Sequence, residues 1–265
     1  MTSPQQPATA AEADPVLVEA DEGICVITIN RPRARNAVNA AVADGVAAAL
    51  DDLDKRDDLV VGIITGAGGT FCAGMDLKGF LRGERPSLPG RGFAGLTEAP
   101  PAKPLIAAVE GYALAGGCEV VLACDMVVAA RGAKFGIPEA KRGLAAAAGG
   151  LLRLPERIPP NVAMELALTG DFLGAERAHE LGLVNRLTDD GAALDGAREL
   201  ARAIAANGPL AVRASKRVIV ESPTWPAVER WQRQREILDP IFVSKDAQEG
   251  ARAFAEKRPP DWQGK

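Results

Sequence analysis

The spacing of apolar residues changes period along the chain, and each change marks an element. Val16–Ala20 and Ile24–Asn30 are β-branched runs joined by Asp21-Glu22-Gly23, a pattern that predicts a hairpin. From Asn39 to Lys55, residues Val42, Val46, Ala49, Leu50 and Leu53 recur at helical spacing and form one stripe. Val60–Thr65 and Leu105–Glu110 are nearly continuous apolar runs, as strands buried on both faces require. Met126–Ala130 and Val184–Leu187 read as further strands, and Phe135–Glu139 as a short extended piece around Pro138. Helices are predicted at Met75–Leu81, at about Ala115 to Cys124, at Gly149–Thr169 with a break at Pro159-Pro160, and at Ala175–Leu181, closed by Gly182. Arg82–Pro101 holds four prolines and four glycines and is expected to be the least ordered internal segment.

Beyond about residue 188 the pattern is helical only, punctuated by Asn207-Gly208-Pro209, Ser222-Pro223 and Asp239-Pro240. This tail keeps apolar residues of its own, among them Ile237, Leu238, Phe242 and Val243, as a helical segment that packs on a neighbouring subunit would. The alternation before it implies an α/β fold with buried parallel strands. Three stretches follow: a disordered Ala/Pro/Gln/Thr-rich tail at 1–14, a core at 15–205, and a helical region at 206–265.

Composition narrows the chemistry. The chain has one histidine, His179, so no histidine cluster can build a zinc site, and a Ser-His-Asp triad would have to pass through that residue. Proton transfers near neutral pH then fall to carboxylates or lysines. The formal net charge is −4 with no basic run, which argues against a nucleic-acid partner. The cysteines Cys25, Cys72, Cys118 and Cys124 form no CxxC pair, and three sit in apolar or Gly-rich contexts that suit a small buried hydrophobe. With no run of 18 uncharged apolar residues and no signal-peptide pattern, a cytoplasmic protein away from the membrane is expected.

Two constellations carry candidate chemistry. In Ile63–Leu77, a buried strand runs through Gly66, Gly68, Gly69 and Gly74 into a helix; in Ile106–Glu119, a second strand does the same through Gly111, Gly116 and Gly117. Each is either a tight turn or a place where backbone N–H groups meet a ligand, and two such turns side by side have the geometry of an oxyanion hole. The P-loop spacing is absent. Glu119, one turn into an apolar helix, is either a helix-dipole partner or a semi-buried catalytic group. Glu139, after Pro138, is ordinarily a solvated loop carboxylate.

The segments AVEGYALAGGCE, CDMVVAARGAKFGIPEAKRGL and AMELALTGDFLGAERAHELGLVN, with FCAGMDLK and EGARAFAEKR, together resemble the enoyl-CoA hydratase/isomerase (crotonase) superfamily over roughly Val16 to Gln263. The resemblance implies a crotonase-like spiral of repeated β-β-α units with a C-terminal helical trimerisation region, assembled as a homotrimer or dimer of trimers. It implies an acyl-CoA thioester substrate, with no metal and no cofactor beyond the coenzyme A carried by that substrate. The oxyanion hole would be the backbone N–H groups of Met75 and Gly116. Glu119 would activate a water for attack at Cβ and Glu139 would protonate Cα, with Gly117, Pro138 and Gly149 positioning water and substrate. A close carboxylate pair titrates as a unit with one member protonated near neutrality, which supplies an acid and a base without histidine. Coenzyme A contacts would come from Arg33, Arg35, Ala37, Ala73, Asp76, Leu77 and Lys78, and from Phe254 and Lys257 of a neighbouring subunit. His179 matches no catalytic position.

The chain departs from the family pattern at Gly143–Leu152, where Ala146 replaces a proline and Leu151-Leu152 replace a polar pair; the resemblance places this segment at the acyl end of the pocket. The expected activity is hydration of a (2E)-enoyl-CoA to a 3-hydroxyacyl-CoA in fatty acid or related acyl-CoA degradation. The rivals are enoyl-CoA isomerisation, which needs only the Glu139-type carboxylate, and a non-catalytic CoA- or RNA-binding protein.

Overall fold

A computed structural model describes residues 14–265. The expected tail at 1–14 therefore lies outside the described residues, apart from Asp14.

The predicted hairpin is present as β1 (Val16–Asp21) and β2 (Ile24–Ile29), turning at Glu22 and Gly23 with positive φ. Helix α1 (Ala40–Lys55) begins where the Asn39 side chain accepts the Val42 N–H at 3.1 Å, and it buries the predicted stripe. Then come β3 (Val61–Gly66), α2 (Leu77–Leu81), β4 (Ser87–Leu88), β5 (Gly92–Phe93), β6 (Leu105–Val109), β7 (Tyr112–Leu114) and α3 (Gly116–Ala123). After these are β8 (Met126–Ala130), β9 (Lys134–Gly136), a 3-10 turn at Pro138–Arg142, α4 (Gly150–Arg157), α5 (Pro160–Thr169), β10 (Leu173–Gly174), α6 (Ala175–Glu180) and β11 (Arg186–Thr188). The helical end comprises α7 (Ala193–Ala205), α8 (Pro209–Glu221), α9 (Arg230–Phe242) and α10 (Lys245–Glu256).

The main sheet has the order β1-β2-β3-β6-β8-β11, antiparallel only at β1–β2. Its continuous apolar strands are explained by burial on both sides. Cys25, Ile27, Ile64, Ala107 and Val127 face the principal core, while Ile24, Val26, Ile63, Ile106 and Val128 pack with Ala197 and Ala201 of α7. A smaller sheet, β10-β9-β7, stands beside it, and an isolated parallel bridge joins Cys72 to Ala113 at its β7 edge. The chain thus repeats one unit: a strand in the large sheet, a strand or bridge in the small one, then a helical turn. The repeats β3–Cys72–α2, β6–β7–α3 and β8–β9–3-10 turn are stacked β-β-α units, as expected of the spiral. All four cysteines are buried and free.

Four local expectations change. The 82–101 segment is organised: β4 and β5 pair, Phe93, Ala94 and Leu96 enter the core, and glycines at positive φ make the turns. The Arg91 guanidinium fastens it by donating to the Gly95 carbonyl at 3.0 Å and to Asp51 at 2.6 Å. Glu139 sits on a 3-10 turn, because Pro138 suits the first position of a helical turn better than an extended strand. The last strand starts at Arg186, because the N–H groups of Leu183 and Val184 are taken by the Ala178 carbonyl as α6 closes. Helix α9 runs through Pro240, whose missing N–H falls on an exposed stretch near the helix end.

The helical end is pinned to the core by Lys216 of α8. Its ammonium donates to the carbonyls of Pro101 and Lys103 at 2.8 and 3.0 Å and pairs with Asp125 at 2.6 Å. Asp125 also accepts the Leu105 N–H at 2.7 Å. Replacing Lys216 with Ala leaves that part-buried carboxylate and two carbonyls without their cation, a loss of about 2 kcal/mol. Chemical denaturation should show the lower midpoint; an unchanged midpoint would mean that this contact does not hold α8.

Candidate active site

The first glycine-rich turn is held from behind by Asn36. This fully buried residue has φ 55°, its amide donates to the carbonyls of Ala67 and Thr70 at 2.8 and 2.7 Å, and its Oδ1 accepts the Arg31 N–H at 2.9 Å. The second turn leaves β7 through Ala115, whose φ of 52° and ψ of −128° are unusual for a residue with a Cβ. Such a conformation costs on the order of 1–3 kcal/mol and persists only where its surroundings over-determine it. Here the Ala115 N–H donates to the Gly136 carbonyl at 2.9 Å, and the Ala115 ψ sets the direction of the next N–H, that of Gly116.

The two turns touch. A Cβ on Gly74 (φ 97°) would lie 2.9 Å from the Ala115 Cβ and 3.2 Å from the Gly116 nitrogen, so any side chain there would force the turns apart. Met75 and Gly116, just beyond this contact, both line one cavity of about 650 Å³. Neither N–H donates to any described group. Two unused donors at the mouths of adjacent turns can bind one oxygen and stabilise negative charge on it.

Both predicted carboxylates reach this cavity. Glu119 is only 4% exposed, and its Oε1 accepts the N–H groups of Ala148 and Gly150 at 2.7 and 2.9 Å. Burial raises its pKa; the two N–H donors and the charge of Arg153 offset part of that rise. Glu139 is half-buried, and its Oε2 is shielded from solvent without a hydrogen-bond partner among the described residues. Burial raises its pKa first, its own backbone N–H offsets this in part, and the Glu119 charge raises it further. The site thus holds two carboxyl groups whose pKa values are both raised, one of them hydrogen-bonded to two backbone donors and the other not, an arrangement that can serve acid/base chemistry.

The model of the enoyl-CoA hydratase/isomerase family matches residues 19–265. The chain belongs to that family. The enoyl-CoA hydratase EchA19 of Mycobacterium tuberculosis is 43% identical over 97% of this chain and all of its own length. A Salmonella carnitinyl-CoA dehydratase is 43% identical over 91% of this chain and 95% of its own. The crystal structure of enoyl-CoA hydratase EchA1 from Mycobacterium marinum is 64% identical, covers 96% of this chain and all of its own, and superposes with a TM-score of 0.94. The expectations of an enzyme and of the crotonase α/β fold hold for this member of the family.

In this enoyl-CoA hydratase/isomerase family member, Arg35, Ala73, Leu77 and Pro138 join Met75, Gly116 and the two glutamates in the cavity wall. Gly149 caps α4 at φ 101°, and its N–H, between the two Glu119 donors, bonds to no described group. Gly117 packs instead against the Cys72 carbonyl, where a Cβ would overlap it. Asp76 pairs with Arg31 at 2.9 Å and caps α2 through the Lys78 and Gly79 N–H groups, so it fastens the loop behind the wall. The Ala37 carbonyl accepts from the same arginine, and Arg33 and Lys78 are exposed outside the wall. Phe254 (87% exposed) and Lys257, at α10, are not brought to the cavity by their own chain. His179 is exposed, with Nδ1 2.8 Å from the Val184 carbonyl, away from the site.

The departure segment divides. Leu144, Ala145, Ala147 and Ala148 line the cavity and Ala146 is buried in the core. Leu151 and Leu152, expected at the acyl end, are 48% and 74% exposed and lie outside this chain's cavity wall. Helix α4 turns Gly150 and Leu154 inward, and residues one and two places after Gly150 must then face outward. Sequence reading missed Phe93, whose ring fills the space beside Gly116, and Arg153. Arg153 donates to the Thr97 carbonyl at 2.6 Å, and its guanidinium fills the space a side chain at Gly149 would need. Neither carried a signal, since each works through contacts distant in sequence.

Two outcomes follow from the electrostatics. A carboxyl whose pKa is raised by folding costs stability as pH rises from the ordinary carboxylate range to the raised value. Glu139→Gln should therefore gain on the parent across that window and match it below, as read by denaturation midpoints at a series of pH values. Arg153→Met removes a charge that offsets part of the rise in the Glu119 pKa, so the acid limb of turnover against pH should move upward, with kcat down about tenfold.

Proposed function

We propose that this enzyme is a hydro-lyase that adds water across the 2,3 double bond of a (2E)-enoyl-CoA to give a 3-hydroxyacyl-CoA, and runs the reverse dehydration. The observation that carries this reading is the pairing of Glu119 and Glu139 in one cavity with the free N–H groups of Met75 and Gly116. The thioester oxygen accepts from those two donors. The Glu119 carboxylate takes a proton from water, the water oxygen bonds to Cβ, and the π electrons move to the enolate held at Met75 and Gly116. The protonated Glu139 then delivers its proton to Cα and the thioester carbonyl re-forms. The proton left on Glu119 returns to Glu139 through the next water, which the Gly149 N–H helps to hold.

The acyl-CoA degradation setting, the absence of any further cofactor and a cytoplasmic location belong to the same reading. Among the described residues, no helix is long and apolar enough to cross a membrane. The assembly proposed is a homotrimer or dimer of trimers through the helical end. In support, Ile219, Val228, Trp231, Phe242 and Val243 expose large apolar surfaces there. Phe254 and Lys257 would then reach coenzyme A from a neighbouring copy.

Glu119→Gln and Glu139→Gln should each lower kcat on crotonyl-CoA by at least about a hundredfold, the scale of losing a general acid or base. Loss of absorbance of the enoyl thioester measures this, and near-parental rates in both variants would sink the two-carboxylate mechanism. Rapid conversion of a 3-enoyl-CoA, insensitive to Glu119→Gln, would instead favour the isomerase reading.

A further inference from the structure

From Cys72 to Asp76, every backbone N–H has a partner among the described residues except that of Met75. Those of Cys72, Ala73 and Asp76 donate to the carbonyls of Tyr112, Arg35 and Val38 at 2.9, 3.0 and 2.8 Å. Gly74 is buried, and its N–H alone relies on a side chain: it donates to the Cys72 Sγ at 3.3 Å. The same sulfur lies 3.8 Å from the Gly74 carbonyl oxygen. Burial pushes the Cys72 pKa up to about 12, so near neutral pH the group is an uncharged thiol.

The sulfur matters because of the two peptides that flank Gly74. In a trans peptide the N–H points opposite to the preceding C=O. The Val38 N–H holds the Gly74 carbonyl at 2.8 Å, and this aims the Met75 N–H away from Val38. The peptide before Gly74 has no such anchor, since no described group donates to the Ala73 carbonyl; the thiol is its hold. With both peptides fixed, Gly74 stays at φ 97°. Without the sulfur the buried Gly74 N–H is orphaned, and a glycine can relieve that by rotating, which carries Met75 with it.

Cys72 also joins the two turns. Its N–H and C=O are bonded to Tyr112 and Leu114 of β7, at 2.9 and 3.0 Å, and its carbonyl packs against Gly117. Strand β7 runs directly into Ala115 and Gly116. One residue therefore grips the second turn through its backbone and the first through its sulfur. Cys72 is fully buried and lies outside the cavity wall, so it acts on the cavity only through these neighbours.

We propose that Cys72 is a positioning residue: its thiol, through the Gly74 N–H, holds the Met75 N–H beside that of Gly116 so that both meet one oxygen. The proposal rests on the oxyanion role given to these two donors above, and its test separates the two.

The probe is 3-oxobutanoyl-CoA, which has no carbon–carbon double bond to hydrate and ionises to an enolate with its own near-ultraviolet absorbance. Titrating the bound probe gives its pKa, which two aligned donors lower. Cys72→Ala should raise that pKa by about one unit and lower kcat on crotonyl-CoA about tenfold, with KM within about twofold. Cys72→Ser keeps an acceptor for the Gly74 N–H and should stay within about threefold of the parent. Cys25→Ala removes a buried thiol from the main sheet and should leave both readings at parental values. A bound-probe pKa that does not move in Cys72→Ala overturns the proposal. So does a folded Cys72→Ser that loses as much as tenfold, or an equal loss in Cys25→Ala. A parent enzyme that lowers the probe pKa yet hydrates no enoyl-CoA removes the hydratase reading and leaves the role of Cys72 standing. A parent that leaves the probe pKa at its free value removes the oxyanion assignment, and the role of Cys72 with it.

Discussion

The site depends on a contact between two pieces of backbone. Gly74 approaches Ala115 and Gly116 so closely that no side chain fits between them, and Gly117 lies against the Cys72 carbonyl. Every group of the proposed chemistry is referred to that contact. It sets Met75 and Gly116 side by side with free donors, and α3 then carries Glu119 one turn further on. The contact is itself a consequence of the stacked β-β-α units, since Cys72 bridges to Ala113 and the Ala115 N–H is held by Gly136 of β9. Strain at Ala115 is tolerated because neighbouring units hold it from both sides.

Electrostatics is the second level of organisation. Both glutamates are pushed toward their neutral forms by burial, but they are treated differently. Glu119 receives two backbone donors and feels the nearby Arg153, whereas one oxygen of Glu139 is shielded with no described partner. The proposed division into base and acid rests on this difference in what surrounds each carboxylate. The donors to Glu119 come from Ala148 and Gly150 at the start of α4, and Arg153 of α4 donates to the Thr97 carbonyl, so Glu119 and the 93–98 wall are braced by one helix.

Much of this was legible in the chain. The strand runs, the α1 stripe and the glycine turns are local patterns, and they located the sheet and the two adjacent turns; the resemblance named Met75 and Gly116 in them. The resemblance singled out Glu119 and Glu139, which periodicity alone left open. What was not legible depended on distant partners. Arg82–Pro101 looks unstructured by composition, yet Arg91 and Phe93 tie it to α1 and Gly116. Leu151 and Leu152 belong to a segment that lines the cavity, but the rotation of α4 takes them out of it. Asp76 sits in the loop expected to meet coenzyme A, and only its pairing with Arg31 shows a structural duty.

The double-sided burial of the main sheet has an evolutionary consequence. The reacting groups are anchored to stacked units that cannot move independently, because α7 covers the sheet on one side and the principal core on the other. Much of the cavity wall comes instead from the segments Ser87 to Glu98 and Leu144 to Ala148. Those segments can change length and composition without disturbing the scaffold. A lineage built this way can explore new acyl groups while its proton-transfer chemistry stays unchanged.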